Sequence, residues 1–331
     1  MRGGPLTGRD AGSSGLHQPC VLMDCAPNPL TRSARLADSR EHARLSTGEA
    51  TIRSEWHSVE STGRTSTVDT TRPSVARIYD YLLGGTSNFP VDREACAHAL
   101  KAMPELHDIV WSNRGFHQRS ASWIASQGVS QFLDIGSGLP TVGNTHEVVR
   151  KVIPDARVCY VDLDPAVAEQ SDALLAADGG TAFVTADLRD PDTLLAAPEL
   201  HNLIDFGQPV GVLMTAVLHF VADSSDPWGI VARYVTELAP GSYLAVTHAT
   251  RDRVPPSSVQ ASQDAYRDAR EQLNLRTKKD IARLFDGLEL VVPYAGAKPD
   301  LVYMGLWGCL DPQLADTDGS RWGFCGVGRR P

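Results

Sequence analysis

The sequence predicts an α/β fold: a doubly wound, mostly parallel sheet with antiparallel C-terminal edge strands, preceded by an N-terminal helical lid segment. Three observations predict it. From residue 131 onward, short apolar runs without polar alternation each give way to a helical pattern, as expected of parallel strands covered on both faces. The first run ends in a Gly-x-Gly turn. The last runs are joined by loops instead of helices, so they add to the sheet as antiparallel edges.

The elements follow in order. Between Pro73 and Gly128 the pattern is helical: Val91, Ala95, Cys96, Ala99, Leu100 and Met103 share one face, with Pro90 at a favourable first-turn position. A second helix is expected over 104–126, burying Leu106, Ile109, Phe116, Trp123 and Ile124, with Gly128 as its stop. Strands are expected at 131–135, 157–161, 182–186, 210–218 and 243–247, separated by helices at 144–152, 165–177, 192–203 and 227–238. Two more helices (258–273 and 278–285) precede strand-like runs at 288–292, 301–307 and 322–327.

Composition divides the chain before the first of these elements. Residues 1–72 hold 9 Arg and 8 acidic residues, with 9 Ser and 9 Thr, but only 10 Leu, Ile or Val. So little apolar surface does not offset the entropy of ordering, and residues 1–71 are expected to be a disordered extension. The helical lid segment then spans 72–130 and the sheet domain 131–331. Removing the extension leaves a net charge of −10 on residues 73–331, against −9 for the whole chain. That acidity disfavours DNA as a partner. No apolar run approaches the roughly 18–20 residues of a membrane helix, and the N-terminus lacks the plan of a secretory signal. The six Cys form no CxxC pair and no cluster with His, so reduced thiols, a cytoplasmic location and no metal site are expected.

The run Phe132-Leu133-Asp134-Ile135-Gly136-Ser137-Gly138 ends a buried strand in a turn where glycine permits close approach of a ligand. A dinucleotide fingerprint needs a third glycine at position 141, which is Thr141, and Asp134 would repel a pyrophosphate. The second strand ends in Tyr160-Val161-Asp162-Leu163, where a carboxylate can accept both hydroxyls of a ribose. The third ends in Ala186-Asp187-Leu188, where an acid and the next N–H suit adenine. Asp134, Asp162 and Asp187 fall 28 and 25 residues apart, at three consecutive strand ends. Such an edge fits an adenosine with a cationic tail. Each acid taken singly also reads as a turn or helix-cap residue.

These motifs resemble the cofactor motifs of Rossmann-like, class I S-adenosylmethionine-dependent methyltransferases. More narrowly, the runs 72–94 (RPSVARIYDYLLGGTSNFPVDRE), 138–148 (GLPTVGNTHEV), 217–220 (VLHF) and 239–250 (APGSYLAVTHAT) are similar to an actinobacterial group of uncharacterised S-adenosyl methyltransferases, over residues 72–331. The resemblance implies S-adenosyl-L-methionine as cofactor and methyl transfer to a small-molecule acceptor. It places Asp134, Gly136 and Gly138 at the methionine part, Asp162 at the ribose and Asp187 with Leu188 at the adenine, with Ser137 and Leu163 also among the cofactor-binding residues. A module that binds the same ligand without catalysis, and a nicotinamide-dependent oxidoreductase, are the alternatives.

His219, after the fourth strand, is the candidate general base; its other reading is a structural histidine bonded to backbone. His248, after the fifth strand, carries the same two readings. The strand-four end lacks the Asn/Asp-Pro-Pro-Tyr/Phe pattern of enzymes that methylate adenine nitrogens. Tyr79, Tyr81, Gly84, Gly85 and Asn88 form the candidate lid, because a closing loop needs polar, aromatic and flexible residues together. Asn113, with Arg114 beside it, faces either the same pocket or solvent.

Overall fold

The computed structural model describes residues 68–141, 143–175, 178–252, 254, 259–260 and 272–331. Most of the predicted 1–71 extension and most of the predicted helix at 258–273 lie outside them.

Three helices come first: α1 (Val75–Leu82), α2 (Pro90–Ala102) and α3 (Leu106–Ser126). The alternating part follows with β1 (Gln131–Ile135), α4 (Thr145–Val149), β2 (Arg157–Asp162), α5 (Pro165–Leu175), β3 (Thr181–Thr185), α6 (Pro191–Leu195), α7 (Pro198–Leu203), β4 (Gly211–Met214), α8 (Pro227–Glu237) and β5 (Tyr243–Ala249). The chain closes with α9 (Lys278–Ala282), β6 (Glu289–Leu290), β7 (Val302–Tyr303), α10 (Pro312–Ala315) and β8 (Gly323–Arg329). The sheet order is β3-β2-β1-β4-β5-β8-β6, with β7 also paired to β8. β1 to β5 are parallel and β8 runs antiparallel to β5, β6 and β7. This is the Rossmann-like, mostly parallel sheet with antiparallel edge strands. Strand order reverses between β1 and β4, the switch point outside which such sheets hold their ligands.

All five residues of β1 are buried, as its unbroken apolar run requires of a central strand. Alternation sends them to opposite faces. Leu133 and Ile135 join the cluster packed by α6, α7 and α8 through Leu194, Leu200 and Ile230. Phe132 joins the other, packed by α3 and α4 through Phe116, Ile124 and Val148. The parity has a consequence: Asp134, two residues after Phe132, faces α3 and α4. The helical segment has a small core of its own, in which Leu82 of α1, Cys96 of α2 and Leu106 and Val110 of α3 meet.

Four predicted elements differ. The helix expected at 192–203 is two, because Pro198 starts a new helix and Ala197 before it is extended. The strand expected at 210–218 stops at Met214. There Ala216 takes a left-handed conformation (φ 57°) and donates its N–H to Thr247 Oγ1 at 2.7 Å in place of a strand neighbour. Residues Leu218–Phe220 then form a single helical turn that carries His219. The strands expected at 288–292 and 301–307 shrink to two-residue pairings with β8. Among the described residues, no helix is long and apolar enough to cross a membrane.

Candidate functional site

A cleft of about 690 Å³ opens at the switch point, lined by the loops after β1, β2, β3 and β4 and roofed by α1 and α3. Its size suits a small organic ligand. Gly136, Ser137, Gly138, Asp162, Leu163, Asp187 and Leu188 all line it.

The loop after β1 is shaped by two left-handed glycines, Gly136 (φ 72°) and Gly138 (φ 64°). A Cβ at Gly136 would collide with Val217, whereas one at Gly138 would meet only open space. Gly138 donates its N–H to Asp162 Oδ2 at 2.9 Å, locking the loop to the end of β2. Asp162 Oδ1 accepts from Asp164 N–H at 3.0 Å. Burial is the main cause that raises the Asp162 pKa above the usual carboxylate value. Asp187 is held by Arg189 through both carboxylate oxygens, at 2.7–3.0 Å.

Asp134 stands apart from this group. It lines a second cavity of about 20 Å³, room for one water, which shares Arg114, Ser137 and Gly138 with the main cleft. Its Oδ2 accepts from the Thr145 hydroxyl at 2.6 Å, and burial pushes its pKa up to about 6. The Ser137 hydroxyl is buried with no hydrogen-bond partner among the described residues.

The roof is tied down at both ends. Ser74, at the start of α1, donates its hydroxyl to Asp164 Oδ2 at 2.8 Å, beyond the end of β2. Further along α1, the Tyr79 hydroxyl accepts from Asn113 Nδ2 at 2.7 Å and donates to the Val110 carbonyl at 3.3 Å. Asn113 Oδ1 in turn accepts from the Thr247 hydroxyl at 2.6 Å, and Thr247 Oγ1 receives the Ala216 N–H. α1 therefore crosses the strand ends from β2 to β4 and β5. Its hold on α2 is a buried ion pair, Arg77 Nε to Asp92 Oδ2 at 2.8 Å, with both side chains almost wholly inaccessible. Asp92 Oδ1 also accepts from Ser74 N–H at 2.9 Å.

Among the candidate lid residues, Tyr79 and Asn113 line the cleft, whereas Tyr81, Gly84, Gly85 and Asn88 do not. Tyr81 is solvent-exposed. Gly84 ends α1 in a left-handed conformation, and Asn88 donates to Asp80 Oδ2 at 3.0 Å. Arg114 is buried on the cleft wall.

His219 does not line the cleft. Its ring packs edge-on against His248, with centroids 5.7 Å apart, and its Nδ1 stands 3.5 Å from the Ala249 N–H. Burial, with the nearby Arg276, drives its pKa down to about 3, so the imidazole is neutral at pH 7. His248 is fixed between the Ala249 carbonyl (2.7 Å) and Arg276 (2.6 Å). This geometry favours the structural reading of both.

Sequence reasoning missed Asp80, His117 and Thr215, all of which line the cleft. One signal was available for His117. Asn113, His117 and Ser120 recur at helical spacing among the apolar residues of α3, and a polar stripe on a buried helix face marks a site. Among the described residues, no group of three His, Cys, Asp or Glu is placed to hold a metal.

The profile of the S-adenosyl methyltransferase family matches residues 61–331. A crystal structure from Thermobifida fusca YX that carries a methyltransferase designation is 40% identical, with a TM-score of 0.72, covering 78% of this chain and 95% of that one. A protein of the DUF574 family from Streptomyces avermitilis MA-4680 is 38% identical, with a TM-score of 0.73, covering 80% of this chain and 99% of that one. A search among functionally curated proteins finds no match. With its switch-point cleft, its glycine loop joined to the acid that ends β2, and a family profile running from residue 61 to the end, this chain belongs to the S-adenosyl methyltransferase family.

Proposed function

We propose that the protein transfers a methyl group from S-adenosyl-L-methionine to a small-molecule acceptor. The observation that carries this reading is the Gly138–Asp162 contact of 2.9 Å inside the cleft, which joins loop and strand end into one continuous ligand edge. The fit is chemical as well as geometric. Asp162 spends one lone pair on each of two N–H groups and keeps capacity for both ribose hydroxyls. Asp187 with the Leu188 N–H suits adenine, with Leu163 beside the sugar. Gly136 and Gly138 let the backbone run along the methionine part, where the Ser137 hydroxyl has a hydrogen bond to give. Arg114, between the two cavities, is suited to the carboxylate of that part, and Asp134 behind it to the ammonium.

Bound there, S-adenosylmethionine supplies a methyl carbon on a sulfonium, already activated toward displacement. What the chain contributes is alignment and exclusion of water, through the roof formed by α1 and α3. Donor and acceptor share about 690 Å³, which favours a small acceptor. A dinucleotide fits less well. The N–H groups of Gly143 and Asn144, where a pyrophosphate would sit before α4, already donate to Glu147 at 2.9 and 3.1 Å.

Calorimetry with S-adenosylhomocysteine, followed by its detection as product over a panel of alcohols, phenols and amines, tests the reading. Binding of NAD with none of S-adenosylhomocysteine overturns it. Binding without turnover over a broad panel favours the non-catalytic module.

A further inference from the structure

Asp80, on α1, is a buried carboxylate of the cleft lining that the cofactor assignment leaves unused. It lines the cleft although only 2% of the residue is exposed. Its Oδ2 is fully engaged, accepting from Ser87 N–H at 2.9 Å and Asn88 Nδ2 at 3.0 Å. Oδ1 takes part in none of these bonds. The turn after α1 is built around that oxygen, since a Cβ at Gly85 would collide with the Asp80 carboxylate. The loop 84–88 thus packs Gly85 against one carboxylate oxygen and secures the other with hydrogen bonds, and Asn88 is itself anchored by Arg93 Nη1 at 2.8 Å.

Its position along the cleft follows from the two ties of α1. Ser74 marks the β2 end, where the sugar would lie, and Tyr79 connects through Asn113 and Thr247 to Ala216 after β4. Asp80 follows Tyr79, so it sits toward the β4 end. Gly136, on the loop after β1, lies against Val217 after β4, so a methionine part running along that loop would bring its sulfur toward the same end.

Resting on the proposed methyltransferase function, we propose that Asp80 Oδ1 faces the transferred methyl and receives the hydrogen of the acceptor atom. The acceptor is then a hydroxyl compound or an amine, a nucleophile that carries a proton. Its lone pair forms the bond to the methyl carbon while the carbon–sulfur pair stays on sulfur as a neutral thioether, and its proton passes to the Asp80 carboxylate. Burial raises the Asp80 pKa above the usual carboxylate value, the direction that makes it a better proton acceptor.

Sinefungin, the stable analogue in which an ammonium-bearing carbon replaces the methylsulfonium, tests this without knowledge of the acceptor. Its ammonium probes whatever lies at the methyl, and S-adenosylhomocysteine, which lacks that group, is the reference. The wild-type protein is expected to bind sinefungin about ten-fold or more tighter than S-adenosylhomocysteine, as a charge-assisted hydrogen bond provides. In Asp80→Asn, whose amide oxygen still accepts from Ser87, that preference should shrink to about two-fold, with S-adenosylhomocysteine affinity little changed. A preference that survives the substitution, or equal weakening of both ligands, overturns the assignment and leaves Asp80 a structural role. Failure of both ligands to bind the wild type overturns the cofactor reading itself. Should the variant not fold, a crystal structure of the wild-type sinefungin complex decides: the ammonium within hydrogen-bond reach of Asp80 Oδ1 supports the proposal, and an ammonium bound by other groups overturns it.

Discussion

His117 Nε2 lies 3.8 Å from Asp134 Oδ2, yet the two do not form an ion pair. The Thr145 hydroxyl stands between them, 2.6 Å from the carboxylate and 2.8 Å from the imidazole. Burial, aided by Arg114, pushes the His117 pKa down to about 3, so the ring is neutral. When Asp134 is ionised, Thr145 must donate to it and therefore accept from His117 Nε2–H. His117 Nδ1 then accepts from the Thr215 hydroxyl at 2.9 Å, on the cleft wall. The hydrogen-bond pattern thus selects one tautomer and connects β1, α3, α4 and the end of β4.

Because burial raises Asp134 to about 6, two pH effects of opposite sign are expected. Between about pH 4 and pH 6 the native state holds a proton that the unfolded state has released, so this group makes stability fall as pH rises, by on the order of 2–3 kcal/mol. An ammonium-bearing ligand prefers the ionised carboxylate, so S-adenosylhomocysteine affinity should rise through the same window. Asp134→Asn should reduce both slopes. Denaturant unfolding and calorimetry at pH 5 and pH 7 measure them, and a variant that tracks the wild type in both rules out this role.

The Asp134 surroundings also mark what could be read in advance. Its strand was legible because a two-sided buried strand leaves an unbroken apolar run. The direction of its side chain also lay in the sequence, through alternation from Phe132, but strand ends invite the assumption that every acid there faces the ligand. The end of β4 was not legible: Ala216 takes φ 57° with no glycine to announce it, and Val217 and Leu218 continue the apolar run past the real break. Asp80 escaped for a different reason. A carboxylate on an amphipathic helix reads as solvent-facing unless the roofing of α1 over the strand ends is already known.

Gly136 and Gly138 should respond differently to the same substitution. Both have positive φ, so alanine at either costs about 1–2 kcal/mol in backbone strain. Only at position 136 does the new methyl strike Val217. Gly136→Ala is therefore expected to lose further stability and all detectable cofactor binding. Gly138→Ala should stay folded while its methyl enters the cleft and weakens S-adenosylhomocysteine by about ten-fold or more, roughly 1.4 kcal/mol. Equal melting temperatures for the two variants would contradict the geometry.

The Arg77–Asp92 pair should matter more than its two charges suggest. Its side chains are 3% and 0% exposed, so removing one partner leaves the other charged and buried, at a cost of about 3–5 kcal/mol. Asp92→Ala also deprives Ser74 and Phe89 of acceptors for their N–H groups. Since α1 and α2 have a core separate from that of the sheet, the expected outcome is local. Hydrogen exchange should accelerate in α1 and α2 while β1 and β4 stay protected. Uniform acceleration across the sheet would show that the helical segment does not open by itself.

Asp162 and Asp187 both end strands on the ligand edge, but they are held differently, and a matched pair of substitutions should separate them. Asp162 is deeply set and accepts from Gly138 N–H and Asp164 N–H, so Asp162→Ala releases the glycine loop as well as removing an acceptor for the ribose. Lost hydrogen bonds to a charged group, at about 1.5–3 kcal/mol each, predict a fall in S-adenosylhomocysteine affinity of a hundred-fold or so. Asp187 is more exposed, and its carboxylate is engaged by Arg189. An exposed pair contributes about 0–1 kcal/mol, so Asp187→Ala should leave stability nearly unchanged. Its effect on binding should be smaller too, because adenine must share the carboxylate with the guanidinium. Arg189→Ala removes the guanidinium from that carboxylate and should weaken binding less than Asp187→Ala does. Calorimetry on the three variants checks the ranking: if Asp187→Ala costs as much affinity as Asp162→Ala, the adenine end dominates recognition, and the loop-to-strand contact is not what organises the site.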